Sequence, residues 1–202
     1  MKDEKWELIS TSNEVKFRRD VNANKMMRVS IIYLLFFVSY TSNGQNRVNP
    51  VIKNYGGIYE IPDATVVADR EMEYKIVVDV VTGAENSDEV AWGLNNVARM
   101  LNLHAVSGAD MDRITVVLAI HGSATYAVMD NSFFKKRFDV DNPNLPLIRE
   151  LKEAGVKLTV CGQSLISRDV PVKSVTEEVE IAKSMLTTVT THQLKGYALL
   201  IF

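Results

Sequence analysis

The residues best suited to chemistry are Cys161, the only cysteine of the chain, and His121. Each directly follows an apolar run that is typical of a β-strand, Val156–Val160 before the thiol and Arg113–Ile120 before the imidazole. The carboxyl ends of parallel strands lie at one edge of a sheet, and ligands of open α/β proteins bind at that edge. A thiolate beside a helix N-terminus and near an imidazole is a plausible nucleophile. Buried structural cysteines and hydrogen-bonded turn histidines are common, so a structural interpretation stays open for both residues.

Small and polar residues follow both strands. The thiol is followed by Gly162, Gln163 and Ser164, and the imidazole is followed by Gly122. The N–H groups that open a helix can bind an anion, and glycine lets the backbone approach a ligand closely. We therefore expect these four residues to bind the substrate or an anion.

Alternating strand and helix patterns must position these residues. Strands are expected over Tyr74–Val81, Arg113–Ile120, Val156–Val160, Ile181–Thr187 and Tyr197–Phe202. Helices are expected over Ser87–Leu103, from Asn142 to Gly155, over Val172–Val179 and over Thr190–Lys195, with short helical pieces in 124–139. The alternation predicts an α/β fold, a three-layer sandwich with a mostly parallel sheet of about five strands.

The amino end is typical of an exported protein. Lys25 and Arg28 are basic, Val29–Val38 is almost wholly apolar, and small or polar residues lead to Gly44-Gln45. This order matches a secretory signal peptide. The apolar run is also shorter than the roughly 20 residues of a membrane-spanning helix. A buried core helix and an uncleaved anchor are the alternatives.

Four segments follow from this interpretation. They are a polar leader outside the native product (1–25), the signal peptide (26–44), an extended segment (45–73) and an α/β domain (74–202). The product is then periplasmic or extracellular, with no membrane span after cleavage of the signal.

Composition and motifs exclude several classes of function. The 202 residues carry a net charge of −2 and give a pI near 6.0, so the chain lacks the basic character of nucleic-acid-binding proteins. A single cysteine excludes an intramolecular disulfide. No GxGxxG, Walker A, HExxH or CxxC motif is present, so we expect neither a nucleotide cofactor nor a metal.

Several stretches together resemble the DsrE/DsrF-like family, in particular a branch often found with signal peptides. They are AIHGSA (Ala119–Ala124), Asn142-Pro143, GVKLTVCGQSL (Gly155–Leu165), LKGYALL (Leu194–Leu200), NYGGIYEIPDA (Asn54–Ala64) and LNNVARMLNLH (Leu94–His104). The resemblance implies a three-layer α/β fold and homo-oligomers, commonly trimers or hexamers. It also implies a cysteine that carries persulfide sulfur between proteins, and Cys161 matches that cysteine by its position after the strand.

Three hypotheses follow for the function. In the first, the protein is an exported sulfur carrier or sulfurtransferase-like protein. Cys161 forms the persulfide, His121 assists proton movement, Gly162–Ser164 hold the anion, and an unidentified protein donates or accepts the sulfur. In the second, the chain is a non-catalytic oligomeric module that binds a small anion or a protein partner. In the third, the cysteine is a redox-sensing thiol.

Overall fold

The computed structural model describes residues 46–202, which form a parallel sheet with helices on both faces. Its five strands are β1 (Tyr74–Val80), β2 (Ile114–Ile120), β3 (Lys157–Cys161), β4 (Glu180–Ala182) and β5 (Ala198–Ile201). The strand order is β4-β3-β2-β1-β5, and every pairing is parallel. The predicted α/β class is confirmed. The leader and the signal peptide predicted for 1–25 and 26–44 lie outside the described residues.

Five helices connect or follow the strands of this part of the chain. They are α1 (Trp92–Val106), α2 (Asn131–Phe138), α3 (Leu145–Glu153), α4 (Gly162–Ser167) and α5 (Met185–Leu194). Shorter 3₁₀ turns lie at Met111–Arg113, Gly122–Val128 and Val172–Ser174. None of the helices within 46–202 is long and apolar enough to cross a bilayer.

The larger core lies between the sheet and helices α1 and α3. Successive side chains of a strand point to opposite faces, and every second residue of β1, β2 and β3 enters this core. The core residues of these elements include Ile76, Val78, Val80, Val116, Leu118, Ile120, Leu158, Val160, Leu94, Leu101, Leu147 and Leu151. Fully burying one such side chain stabilises the fold by about 1.5–3 kcal/mol.

A smaller apolar cluster on the opposite sheet face places α5 there. Val77 of β1 and Ala119 of β2 contact Val189 of α5, and Leu199 of β5 packs against them. The sheet therefore lies between two helical layers, which confirms the predicted three-layer arrangement.

The carboxyl-terminal third differs from the prediction. The strand expected over Ile181–Thr187 is wrong in its second half, because β4 ends earlier and α5 begins; Thr190–Lys195 covers only the end of that helix. β-Branched threonines favour strands. Here the hydroxyls of Thr187 and Thr188 donate to the carbonyl of Ser184, whose own hydroxyl accepts a backbone N–H and caps the helix.

Two predicted helices also have different bounds. The segment Val172–Val179 forms only a three-residue 3₁₀ turn. The helix expected over Ser87–Leu103 begins at Trp92. The side chains of Asn86 and Glu89 contact each other at 3.1 Å, but in a capping box each side chain would bond the backbone N–H of the other residue. The two residues close a turn that precedes the helix, so the predicted helix start is wrong.

One buried asparagine fastens the segment before β1 to α1. Asn102 is fully buried, and its Oδ1 accepts the N–H groups of Val51 and Ile52, both at 2.9 Å. Its Nδ2 donates to the carbonyls of Ile52, Tyr55 and Gly56 at 3.0–3.3 Å. Buried backbone N–H and carbonyl groups need hydrogen-bond partners, and in this loop the side chain of Asn102 supplies them.

Candidate functional site

Strand pairing brings the two chemically versatile residues to one edge. Ile120 of β2 pairs with Val160 of β3, so the next residues, His121 and Cys161, are neighbours where these strands end. Adjacent strands are about 4.8 Å apart. The structure therefore places thiol and imidazole at the same carboxyl edge, as the sequence pattern indicates.

The connections that leave this edge diverge beside Cys161. β3 continues into α4, whose Leu165 enters the core shared with α1 and α3. β4, which pairs with β3 through Cys161 and Ala182, leads into α5 on the opposite face. In open α/β sheets, ligands bind at the point where neighbouring connections go to opposite faces. Cys161 lies at that point.

A carboxylate that sequence reasoning missed holds the imidazole. Asp79 of β1 lies with its Oδ1 2.5 Å from the Nε2 of His121, and the two side chains are 15% and 22% exposed. A carboxylate can only accept, so Nε2 donates and the neutral ring keeps its lone pair on Nδ1. Within residues 46–202, no hydrogen-bond partner occupies that Nδ1. One signal was available: Asp79 is the only charged residue inside the apolar run IVVDVV.

The thiol itself is enclosed. Cys161 is 5% exposed, yet it belongs to neither apolar cluster. Leu158 and Val160 enter the large core, so the alternation along β3 directs Cys161 to the α5 face. A Cβ on Gly162 would lie 3.0 Å from the Ala182 carbonyl oxygen, which shows how closely the β4–α5 connection approaches this edge.

The three residues predicted to hold an anion lie in different environments. Gly162 opens α4, which is only six residues long, and Gln163 is exposed. Ser164 is buried, and its hydroxyl lies 2.7 Å from the Thr125 hydroxyl and 3.5 Å from an Arg168 nitrogen. The Ser164 side chain thus ties α4 to the 3₁₀ turn after β2.

Gly122 has a conformational reason to be glycine. Its φ is +58°, and a Cβ there would lie 2.6 Å from both the carbonyl oxygen and Cγ2 of Val81. The left-handed turn directs the chain away immediately after His121. Gly122 therefore shapes the turn that carries the imidazole.

We expect Gly122→Ala to lower the free energy of unfolding by about 3 kcal/mol, because left-handed strain and a backbone clash add. Gly155→Ala is the matched control: its φ is +82°, but nothing lies within 4 Å of its Cβ position. We expect this control to lose only about 1 kcal/mol. Urea unfolding measures both values, and equal losses would show that the contact with Val81 is unimportant.

Two cavities lie at the same edge beside the β1–α1 connection. One of about 130 Å³ is lined by residues that include Ser123, Tyr126 and Asn144. The other, of about 770 Å³, is lined in part by Tyr55 and Trp92. The connection Gly83–Glu89 contributes to both, while Cys161 and His121 line neither. Among residues 46–202, no three His, Cys, Asp or Glu side chains are grouped to hold a metal.

Similarity to a known protein family extends over most of the described residues. A family model described as the DsrE/DsrF-like family matches residues 75–202. Among solved structures, the chain is similar to MTH1491 from Methanobacterium thermoautotrophicum, described as a protein of unknown function, with 17% identity and a TM-score of 0.49. It is also similar to the ychN protein from E. coli, with 18% identity and a TM-score of 0.45. Each match covers 64% of this chain and 99% of the other. The comparison with curated proteins gave no match.

Proposed function

The chain belongs to the DsrE/DsrF-like family, and on that premise we propose that it is an exported sulfur carrier whose Cys161 accepts sulfur as a persulfide. The family is generally tied to sulfur relay. The observation that supports this role most directly is the Asp79–His121 pair at the strand end beside the thiol. The carboxylate of Asp79, the imidazole of His121 and the thiol of Cys161 thus lie near the carboxyl ends of three neighbouring strands, β1, β2 and β3.

Sulfur transfer to this thiol conserves atoms and electrons. The Cys161 sulfur attacks the terminal sulfur of a donor persulfide, R–S–SH, forming a new S–S bond while the S–S bond of the donor breaks. His121 takes the thiol proton on Nδ1 and passes it to the departing R–S⁻, which leaves as R–SH. Asp79 keeps the ring in the required tautomer and stabilises the imidazolium. No external oxidant or reductant is needed.

The enclosure of Cys161 fits a carrier that protects its cargo. A persulfide that is shielded from solvent is protected from hydrolysis and from attack by other thiols. Loading and unloading then require the β4–α5 connection to open, with an unidentified protein or small molecule as donor and acceptor. We propose further that the exported protein works as a homo-oligomer, a trimer or a hexamer.

Intact-mass spectrometry after exposure to inorganic polysulfide tests the carrier function. We expect the wild-type chain to gain the mass of one sulfur atom, a gain that dithiothreitol reverses. Cys161→Ser is expected to gain none, and the chain has no second cysteine to confuse the assignment. The carrier proposal fails if the wild-type protein stays unmodified while a small-molecule thiol in the same tube is converted.

The burial of Cys161 favours a second candidate, a non-catalytic binding module. The thiol is 5% exposed, and the two cavities beside the β1–α1 connection do not include it. Such a module would bind its small anion or protein partner equally well as Cys161→Ser. An unmodified thiol in the polysulfide experiment, together with retained binding in that variant, would favour this function.

A further inference from the structure

A polar groove runs along the outer sheet face next to Cys161. Helix α5 packs over β1, β2 and β5, and a groove remains between this helix and the outer face of β3 and β4, where the side chain of Thr159 is buried. The groove between the helix and these strands has a volume of about 280 Å³. We call it the α5 groove; it is lined by Lys157, Thr159, Glu180, Ile181, Ala182, Thr187, Thr188, Thr191 and His192.

The floor of the α5 groove leads to the thiol. Lys157, Thr159 and Cys161 are alternate residues of β3 and lie on the same sheet face. Ala182, which lines the groove, is the pairing partner of Cys161. Two residues along a strand span about 7 Å, so Thr159, which lines the groove, lies about 7 Å along β3 from Cys161.

Opposite charges lie at the other end of the groove. The Nζ of Lys157 is 3.1 Å from Oε2 of Glu180, and both side chains are half exposed. An exposed ion pair of this kind adds little stability and exchanges easily with the charges of a ligand. A bound molecule with one carboxylate and one ammonium group would satisfy both side chains.

The groove also presents a fixed imidazole. The Nδ1 of His192 lies 2.7 Å from the carbonyl oxygen of Thr188, and its ring packs edge-on against Tyr197 at 4.9 Å. Because a carbonyl can only accept, Nδ1 donates and Nε2 is left as the acceptor of the neutral ring. Nε2 is thus the ring nitrogen of His192 that can accept a hydrogen bond from an ammonium group.

We propose that the α5 groove binds the amino-acid end of a small zwitterionic persulfide and delivers its sulfur to Cys161. Lys157 pairs with the carboxylate of this ligand, and Glu180 pairs with its ammonium group. Because the four residue steps from Lys157 to Cys161 span about 13 Å along β3, a ligand of small-peptide size can bridge this distance, whereas a single amino acid cannot. The identity of the ligand as a persulfide rests on the proposed function, whereas its recognition rests on the groove.

Binding of S-methylcysteine to the full chain tests the groove independently of sulfur transfer, because this thioether cannot donate sulfur. In an NMR titration we expect binding that weakens about fivefold in Lys157→Met and in Glu180→Gln. Methylthioacetate, which lacks the ammonium group, and 2-(methylthio)ethylamine, which lacks the carboxylate, should both bind more weakly. Lys75→Met is the matched control, since Lys75 is a similarly exposed strand lysine paired with Glu73 outside the groove.

The outcomes separate this inference from the function on which it rests. Absent binding, or binding that Lys157→Met and Glu180→Gln leave unchanged, overturns the groove assignment even if polysulfide modifies Cys161. A groove covered by another copy of the chain would give the first of these results. Binding without any sulfur adduct would retain the amino-acid site and overturn the carrier function.

Discussion

Replacing His121 with glutamine is expected to slow sulfur uptake by Cys161 about 100-fold at neutral pH, the usual effect of removing a general base. Glutamine retains an amide that can donate to Asp79, so the local hydrogen bond survives, but it cannot accept and release the thiol proton. The rate at which the sulfur adduct forms, followed by quenching and intact-mass spectrometry at neutral pH, gives the measurement.

Asp79→Asn separates positioning from proton transfer in the same assay. The amide in place of the carboxylate no longer requires Nε2 to donate, so the ring can turn or change tautomer, and we expect at least about tenfold slower uptake. His104→Gln is the matched control, because the Nδ1 of His104 contacts only the backbone carbonyl oxygen of Met100, away from the edge. Wild-type rates in both His121→Gln and Asp79→Asn would remove this pair from the reaction.

The second large effect concerns Asn102 and stability rather than chemistry. We expect Asn102→Ala to lower the free energy of unfolding by about 4 kcal/mol, because the loop before β1 loses every hydrogen bond with the Asn102 amide and several of its buried backbone groups stay unpaired. Urea unfolding gives the value. Limited proteolysis should also show earlier cleavage between Asn46 and Ile58, since this asparagine holds that loop on α1.

Asn96 on the same helix is the control for this substitution. Its Nδ2 is buried without a hydrogen-bond partner among the described residues. Asn96→Ala therefore removes no hydrogen bond of that group, and we expect a change within about 0.5 kcal/mol. Similar losses in the two variants would mean that helix packing, and not the network of Asn102, determines stability here.

The location of the candidate site could be predicted because it depends on strand ends. Continuous apolar runs identify buried parallel strands, and the polar residue after each run must lie at the carboxyl edge. Cys161 and His121 both follow this rule. Whether they lie close together depends on the order of the strands in the sheet, which the sequence pattern does not give. They are neighbours only because β2 pairs with β3.

Asp79 was missed for a related reason. The sequence does not indicate the partner of an aspartate in a strand. Asp79 and His121 are far apart in the sequence and lie close together only because β1 pairs with β2. The threonines of α5 illustrate a second limit. Their intrinsic preference for strands is overcome by the Ser184 cap and by hydroxyl bonds within the helix, and such bonds depend on a helix that already exists.

The position of β1 inside the sheet has a consequence for folding. One of its edges pairs with β2, where Ile76 and its partner Val116 are 40 residues apart in the sequence, but the other pairs with β5, where Ile76 and its partner Ala198 are 122 residues apart. Contacts between residues so distant in the sequence form slowly, and until β5 docks the folding chain presents an open strand edge to which other chains can add. The edge of β1 that receives β5 is therefore the part of the sheet most open to aggregation during folding.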